Sequence, residues 1–313
     1  AAGGEVRFKA KVTDIKITEG KISEVIINGQ ETLPCEVVVL AIGHSARDTY
    51  EMLYQRNVEL EAKPFAIGVR IEHPQELIDK AQYGEYAGVA NLAAADYSLV
   101  YNDIETKRSA YSFCMCPGGM VVGATSEENQ VVTNGMSNYQ RNSGIANSAI
   151  IVTVNTDDFG GNVLDGISFQ RKYEKLAFEV GGKNYNAPMQ TVGDFLNNNV
   201  GSTDFLVKPT YLPGVKSADL RDCLPKFVTT TIAKALPYFG QKIKGFDAPN
   251  VVMTGVETRT SAPVRIVRNK ELVSLNTNGL YPTGEGAGYA GGIMSAAIDG
   301  MNVAIKIINK YKM

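Results

Sequence analysis

Hydrophobic and polar positions alternate over the first part of the chain. In "EVRFKAKVTDIKITEGKISEVIING", Val6, Phe8, Ala10 and Val12, then Ile22, Val25 and Ile27, are spaced at or near every second place, with turn residues at Glu19-Gly20 and Asn28-Gly29. This period predicts a small antiparallel meander. The pattern then changes. "CEVVVLAIG" is apolar without alternation, as expected of a strand buried on both faces. It ends in Gly43-His44-Ser45, and "SARDTYEMLYQRN" has helical spacing, with Ser45 as N-cap and Asp48 in the first turn. Strand, glycine turn and helix make half of a βαβ unit.

From Pro64 the character shifts. "FAIGVRIEH", "SAYSFCMCP", "MVVGATS" and "AIIVTVNT" are strand-like and separated by polar, Gly/Asn-rich connections. Residues Ser168 to Gly181 have helical spacing, and "SADLRDCLPKFVTTTIAKALPYFG" reads as one or two helices broken near Pro225 and Pro237. Asn197 to Lys216, rich in asparagine and proline, is a loop candidate able to cover a site. A last helix is expected from about Gly292 to Tyr311. The organisation predicted is α/β: a discontinuous first domain over residues 1–63 and 268–313, with an α+β domain inserted over 64–267.

Composition narrows the function. The 313 residues carry 44% hydrophobic and 20% charged side chains, with 31 basic against 33 acidic groups. Near-neutral charge without a basic run argues against an extended nucleic-acid-binding face. No apolar segment reaches membrane-spanning length. Cys35, Cys114, Cys116 and Cys223 follow neither zinc nor C-x-x-C spacing, as fits reduced thiols in a cytoplasmic protein.

The densest local signal is "GLYPTGEGAGYAGGIMSAAIDG", with six glycines between Gly279 and Gly292 and a small-residue helix after them. Amides at a helix N-terminus attract negative charge, and Gly286, Gly288, Gly291 and Gly292 let a flat or phosphorylated ligand approach the backbone. A tightly packed strand-to-helix turn satisfies the same pattern, and spacing alone leaves both open.

Beyond spacing, "LYPTGEGAGYAGGIMSAAIDG" resembles the C-terminal flavin-contacting segment of two-domain FAD-dependent oxidoreductases related to glutathione reductase. The likeness is greatest to the FAD-dependent proteins called NAD(FAD)-utilising dehydrogenases, through "VVLAIGHSARDTYEML", "KPFAIGVRIEHPQ", "CMCPGGMVV", "NGMSNYQRNS" and "GVETRTSAPVRI". The resemblance implies a Rossmann-like FAD-binding domain and an inserted substrate domain, with FAD as cofactor and NAD(P)H as a candidate reductant. Family members open with a strand, G-x-G-x-x-G and helix. None precedes Gly43, and the chain starts "AAGGEVRF" without Met. The expectation is a fragment lacking the N-terminal βαβ half, with weak or no FAD binding of its own. No second Gly-rich fingerprint marks a separate nicotinamide domain.

The resemblance places Ala41 and Gly43 against FAD, and Gly284 with Glu285 near its ribityl or pyrophosphate part. It also places the amides of Gly291, Gly292 and Ile293 near the flavin ring, where they stabilise negative charge. For chemistry, His44 is a proton carrier or a backbone-bonded histidine. Arg70, Arg259 and Arg265 suit a carboxylate or phosphate, or serve as salt bridges. Arg259 and Arg265 flank the rigid Pro263, which makes that stretch the best of these sites. Alternation would put Cys114 and Cys116 on one strand face as a redox pair or as inert thiols. Asn134 and Arg141 face a ligand or belong to a polar loop. The reading is an FAD-dependent oxidoreductase of unknown small-molecule substrate; a flavin-dependent RNA-modifying enzyme and a non-catalytic flavin-binding module are the alternatives.

Overall fold

Residues 3–311 are described in a computed structural model of the chain; Ala1, Ala2, Lys312 and Met313 lie outside them. The chain divides into two compact units. The first gathers Ala1–Lys63, Thr156–Ile167 and Ser261–Met313, and the second gathers Pro64–Asn155 and Ser168–Thr260.

The meander is β1 (Val12–Thr18), β2 (Lys21–Ile27) and β3 (Glu31–Pro34), antiparallel throughout. Its turns fall where the glycines predict: Glu19, Gly20, Asn28 and Gly29 all have positive φ. Next come β4 (Val38–Leu40), α1 (Arg47–Gln55) and β5 (Leu60–Ala62). Ser45 does not cap α1. The N-cap is Ala46, which has no side-chain oxygen to offer.

The second unit holds β6 (Phe65–Pro74), α2 (Gln75–Tyr83), β7 (Val100–Asp103), β8 (Arg108–Cys116), β9 (Gly119–Gly123), β10 (Thr133–Ser137) and β11 (Ile145–Val154). It continues with α3 (Asp165–Val180), β12 (Ala187–Thr191), α4 (Val192–Asn197), β13 (Val215–Ser217), α5 (Lys226–Lys242) and β14 (Val252–Glu257). Seven strands form one mixed sheet in the order β13-β12-β14-β6-β11-β8-β7, parallel only between β12 and β13. The central pair, β6 and β11, is buried nearly end to end, which explains the apolar runs at 65–69 and 149–152, though Arg70, Glu72, His73, Asn147 and Ser148 are buried with them. Pro237 does not break α5. Val228, Ile232, Ala235, Leu236 and Phe239 are buried along that helix, and their packing outweighs the lost backbone bond.

The first unit resumes with β15 (Val264–Ile266), β16 (Leu280–Pro282) and α6 (Ile293–Tyr311). β15 pairs with β5 antiparallel, whereas β16 runs parallel to β4. One core joins the meander, α1 and these returning strands through Ile15, Ile22, Leu53, Val264, Ile266 and Leu280. The expectation of a β4 buried on both faces is not met: Val39 is 48% exposed. Among the described residues β4 has β16 as its single strand neighbour. No helix among them is long and apolar enough to cross a membrane.

Candidate functional site

Within the first unit, two stretches more than 200 residues apart meet (Ala41–Ser45 against Gly284–Gly292). Gly43 turns with φ 69° and presents its backbone to Gly286, where a Cβ would lie 2.5 Å from the Gly43 carbonyl oxygen. The phenol of Tyr50, on α1, donates to Gly286 O at 2.8 Å and reaches Gly43 O at 3.4 Å, so one buried side chain ties both stretches to one helix. Burial, and then the Glu285 charge, raise the Tyr50 phenol above its ordinary range, so it stays a neutral donor. His44 Nδ1 stands 3.1 Å from Glu285 Oε1, with both side chains about a quarter exposed.

The glycines divide by physical role. Gly284 and Gly288 have φ of 72° and 83°, and a Cβ on Gly288 would meet the Val264–Arg265 backbone at 2.9 Å. Together with Gly286 they satisfy the tight-turn reading. Gly291 and Gly292 do not. Neither has positive φ; a Cβ on Gly291 would meet nothing within 4 Å, and one on Gly292 only the Ser295 hydroxyl at 4.0 Å. Both are exposed, at the entry to α6, and their amides donate to that same serine Oγ at 3.3 and 3.1 Å. Ile293 beside them is 90% exposed. The amide of Gly284 is already used: it donates to Asp299 Oδ2 at 2.7 Å. Burial pushes the Asp299 carboxyl up, but the bidentate Arg268 guanidinium and this amide outweigh it and hold the group below the usual range.

Arg265 lies on the same side of the turn. Its Nη1 donates to Glu61 at 2.5 Å, and its guanidinium faces the Tyr289 ring at 5.2 Å. Lys63 has no signal in the sequence, yet its ammonium is made more acidic by burial and by Arg265, against the pull of Glu285. Tyr50 was equally hidden, as one aromatic in an amphipathic helix.

The candidate residues of the second unit form a different centre. Arg70, fully buried on β6, donates Nε and Nη2 to Glu257 at 2.5 and 2.9 Å. Its Nη1 donates to Cys114 O at 2.8 Å and Asn147 Oδ1 at 3.1 Å, and Nη2 also reaches Asn134 Oδ1 at 3.0 Å. All five N–H groups of the guanidinium therefore have acceptors within the unit. The cysteines do not share a face as alternation predicted. A register shift between β11 and β8 produces a bulge, Cys114 takes φ 46° and is exposed, and Cys116 turns inward. The Cys116 thiol donates to Cys114 O at 3.3 Å, and that contact together with burial raises its pKa. Arg141, also at positive φ, is exposed on the loop after β10. Arg259 is buried elsewhere, clasped by both oxygens of Glu174 and bonded to Ser126 Oγ.

Next to Arg70, Glu72 accepts from the Thr210 hydroxyl at 2.5 Å and its amide at 3.2 Å, which anchors the long connection after α4 to the sheet. Burial lifts this carboxyl to about 7 despite those bonds. On the opposite face His73 is held neutral by burial, with a pKa near 4, and its Nε2 donates to Phe246 O at 2.8 Å.

A glycine turn built on two distant stretches, and a large mixed sheet carried by a second unit, define a mixed α/β protein with a candidate site at a helix entry. The family model described as "FAD-dependent protein, C-terminal domain-like" matches residues 64–260, and the chain belongs to that family. A Clostridium beijerinckii protein, described as uncharacterized, is 53% identical over 310 residues, covering 99% of this chain and 58% of its own length. The chain thus spans little more than half of that relative.

Proposed function

We propose that the protein is an FAD-dependent oxidoreductase of the glutathione-reductase-like, two-domain kind, and that the first unit holds part of the cofactor's site. Family membership supports the cofactor. The observation that carries the site is the pair Gly291 and Gly292, which neither packing nor backbone conformation requires to be glycine. Open space where their side chains would stand, at the start of a 19-residue helix, suits the approach of an electron-rich, flat group, which would take the place of the Ser295 hydroxyl as acceptor for the two amides. The residues present fit FAD on that test.

In this reading Ala41 and Gly43 border the cofactor, Glu285 accepts from its hydroxyls, and Gly291, Gly292 and Ile293 give it backbone amides. Bound there, FAD supplies hydride and electron transfer. The chain's own groups orient and exchange protons. His44 Nδ1 and Glu285 Oε1, 3.1 Å apart, are the pair proposed to pass a proton at the turn. Arg265 and Lys63 set positive charge beside Glu285 at the turn. Arg70 acts by position: it fixes the bulge that exposes Cys114, and with it the candidate substrate face around Cys114 and Arg141. The donor is proposed to be NAD(P)H or a reduced small molecule.

The visible spectrum tests this. The chain incubated with FAD, and the longer C. beijerinckii relative as purified, are compared after gel filtration. Yellow protein in the relative, with retention weakened when the Gly292 counterpart is made bulky, supports the reading. Absence of flavin from both removes it. Flavin that no nicotinamide reduces would remove NAD(P)H as the donor, and flavin that no reduced small molecule reduces either would leave a binding module rather than a dehydrogenase.

A further inference from the structure

Two thiols meet at the bulge of β8. Cys116 pairs with Asn147 and Phe113 with Ala149, so Cys114 and Met115 together stand opposite the single residue Ser148. In a regular strand, residues two apart are separated by roughly 6.6 Å of rise, near the limit for a disulfide. The extra residue bends the strand, and the Cys114 and Cys116 side chains come into hydrogen-bond contact. The surrounding backbone is pinned. Arg70 Nη1 donates to Cys114 O at 2.8 Å and stands 3.9 Å from Cys116 Sγ, and its charge acts on both sulfurs. Beyond the pair, Ser137 Oγ donates to Pro117 O at 2.7 Å, and the Gly118 amide donates to Gln75 Oε1 at 2.8 Å. Only Cys114 of the two is exposed to solvent. That asymmetry separates a thiol that can be attacked from outside from one that can resolve it.

We propose that Cys114 and Cys116 are a peroxide-reactive thiol pair, which closes to a reversible disulfide across Met115. The Cys114 thiolate attacks one oxygen of a hydroperoxide. The O–O bond breaks, the leaving alkoxide or hydroxide takes a proton from water, and Cys114 becomes a sulfenic acid. Cys116 Sγ then attacks the Cys114 sulfur. The S–S bond forms as the S–O bond breaks, and the Cys116 proton leaves with that oxygen as water. The two thiols lose two electrons and two protons, all taken up by the peroxide. No flavin enters, so the pair stands apart from the cofactor reading. The contact with Cys114, and then burial, raise the Cys116 thiol, with the Arg70 charge opposing them. Cys116 is thus kept protonated until Cys114 has been oxidised. When it gives up its own bond to Cys114 O, Arg70 Nη1 still satisfies that carbonyl. A disulfide closed across one residue is strained and easily reduced, as a reversible bond requires.

The whole chain is treated with a small excess of hydrogen peroxide, denatured, alkylated and mapped by mass spectrometry. The Cys114 and Cys116 positions should refuse alkylation and be lighter by two hydrogens, and should take two alkyl groups again after dithiothreitol. Fragmentation separates this from oxygen added at Met115 or Met120. Cys35, partly buried, and Cys223, buried, should stay reduced about tenfold longer. Cys116→Ser should stop at the Cys114 sulfenic acid, trapped by dimedone, and Cys114→Ser should leave Cys116 reduced. Wild-type protein in which Cys114 is oxidised while Cys116 still alkylates overturns the inference. So does a disulfide that joins two chains through Cys114, or loss of the Cys114 thiol no faster than that of Cys35. The wild-type map decides by itself, whether or not the variants fold.

Discussion

Tyr50 and Gly286 are joined by a buried 2.8 Å hydrogen bond across 236 residues of sequence. The phenol is the tie between α1 and the glycine turn, so Tyr50→Phe strands a buried carbonyl while keeping the ring's packing. The expected loss of stability is about 1–3 kcal/mol, the usual cost of an unsatisfied buried acceptor. Urea unfolding with an unchanged slope would measure it; an unaltered midpoint would show that the turn does not depend on this bond.

Two alanine substitutions separate packing from ligand binding. Gly286→Ala drives a Cβ into the Gly43 backbone and should cost roughly 1–3 kcal/mol. Gly291→Ala meets nothing and should leave thermal stability within about 0.5 kcal/mol. If the amides at 291 and 292 serve FAD, the same Gly291→Ala change weakens flavin retention. Stability unchanged and flavin retention unchanged would return the whole stretch to a packing role.

Neighbouring residues on β6 oppose each other in pH. Glu72 rises from 4.5 to about 7 on folding, so the folded state holds the extra proton and stability falls as pH rises between those values. His73 drops from 6.5 to about 4, so stability is lost as pH falls through that range. The two slopes nearly cancel between pH 4.5 and 6.5. Glu72→Gln should therefore expose the His73 slope, with stability climbing by up to about 3 kcal/mol from pH 4 to 6.5. Denaturant midpoints across that range are the check, and a flat profile in the variant would contradict the assignment.

The bulge in β8 predicts thiol selectivity. Cys114 is exposed, whereas Cys116 and Cys223 are buried; the contact with Cys114 and then burial raise the Cys116 thiol, and burial raises that of Cys223. A maleimide should label Cys114 rapidly in native protein, with Cys116 and Cys223 reacting only on unfolding. Peptide mapping after short labelling decides it; early modification of Cys116 would mean that the bulge opens in solution.

Local periodicity made the elements legible. The meander, β6, β8, β9, β11 and α6 fall where alternation or helical spacing puts them, because each pattern is written in adjacent residues. What was missed depends on distant partners. Pro237 stays helical because α5 is buried along a whole face, and Ser45 yields the cap to Ala46. One inserted residue in β8 separates two cysteines that strict alternation would pair. At the turn, composition showed that glycines mattered but not which ones. Gly286 is required by Gly43 and Gly288 by Val264–Arg265, and neither contact is visible from spacing.

The chain passes between its two units four times, at residues 63/64, 155/156, 167/168 and 260/261. Val163, Leu164 and Ile167 lie in the short middle return and pack with Ala262 and Val264, which the chain contributes only later. A polypeptide cut to residues 64–260 would therefore carry an apolar segment stripped of its neighbours. Synthesis on the ribosome meets the same order: the second unit has all its residues by Thr260, while the first, begun earliest, stays incomplete until Ser261–Met313 emerges. The glycine turn is assembled only once residues 284–292 follow, so the stretch at Ala41–Ser45 waits for a partner made more than 200 residues later.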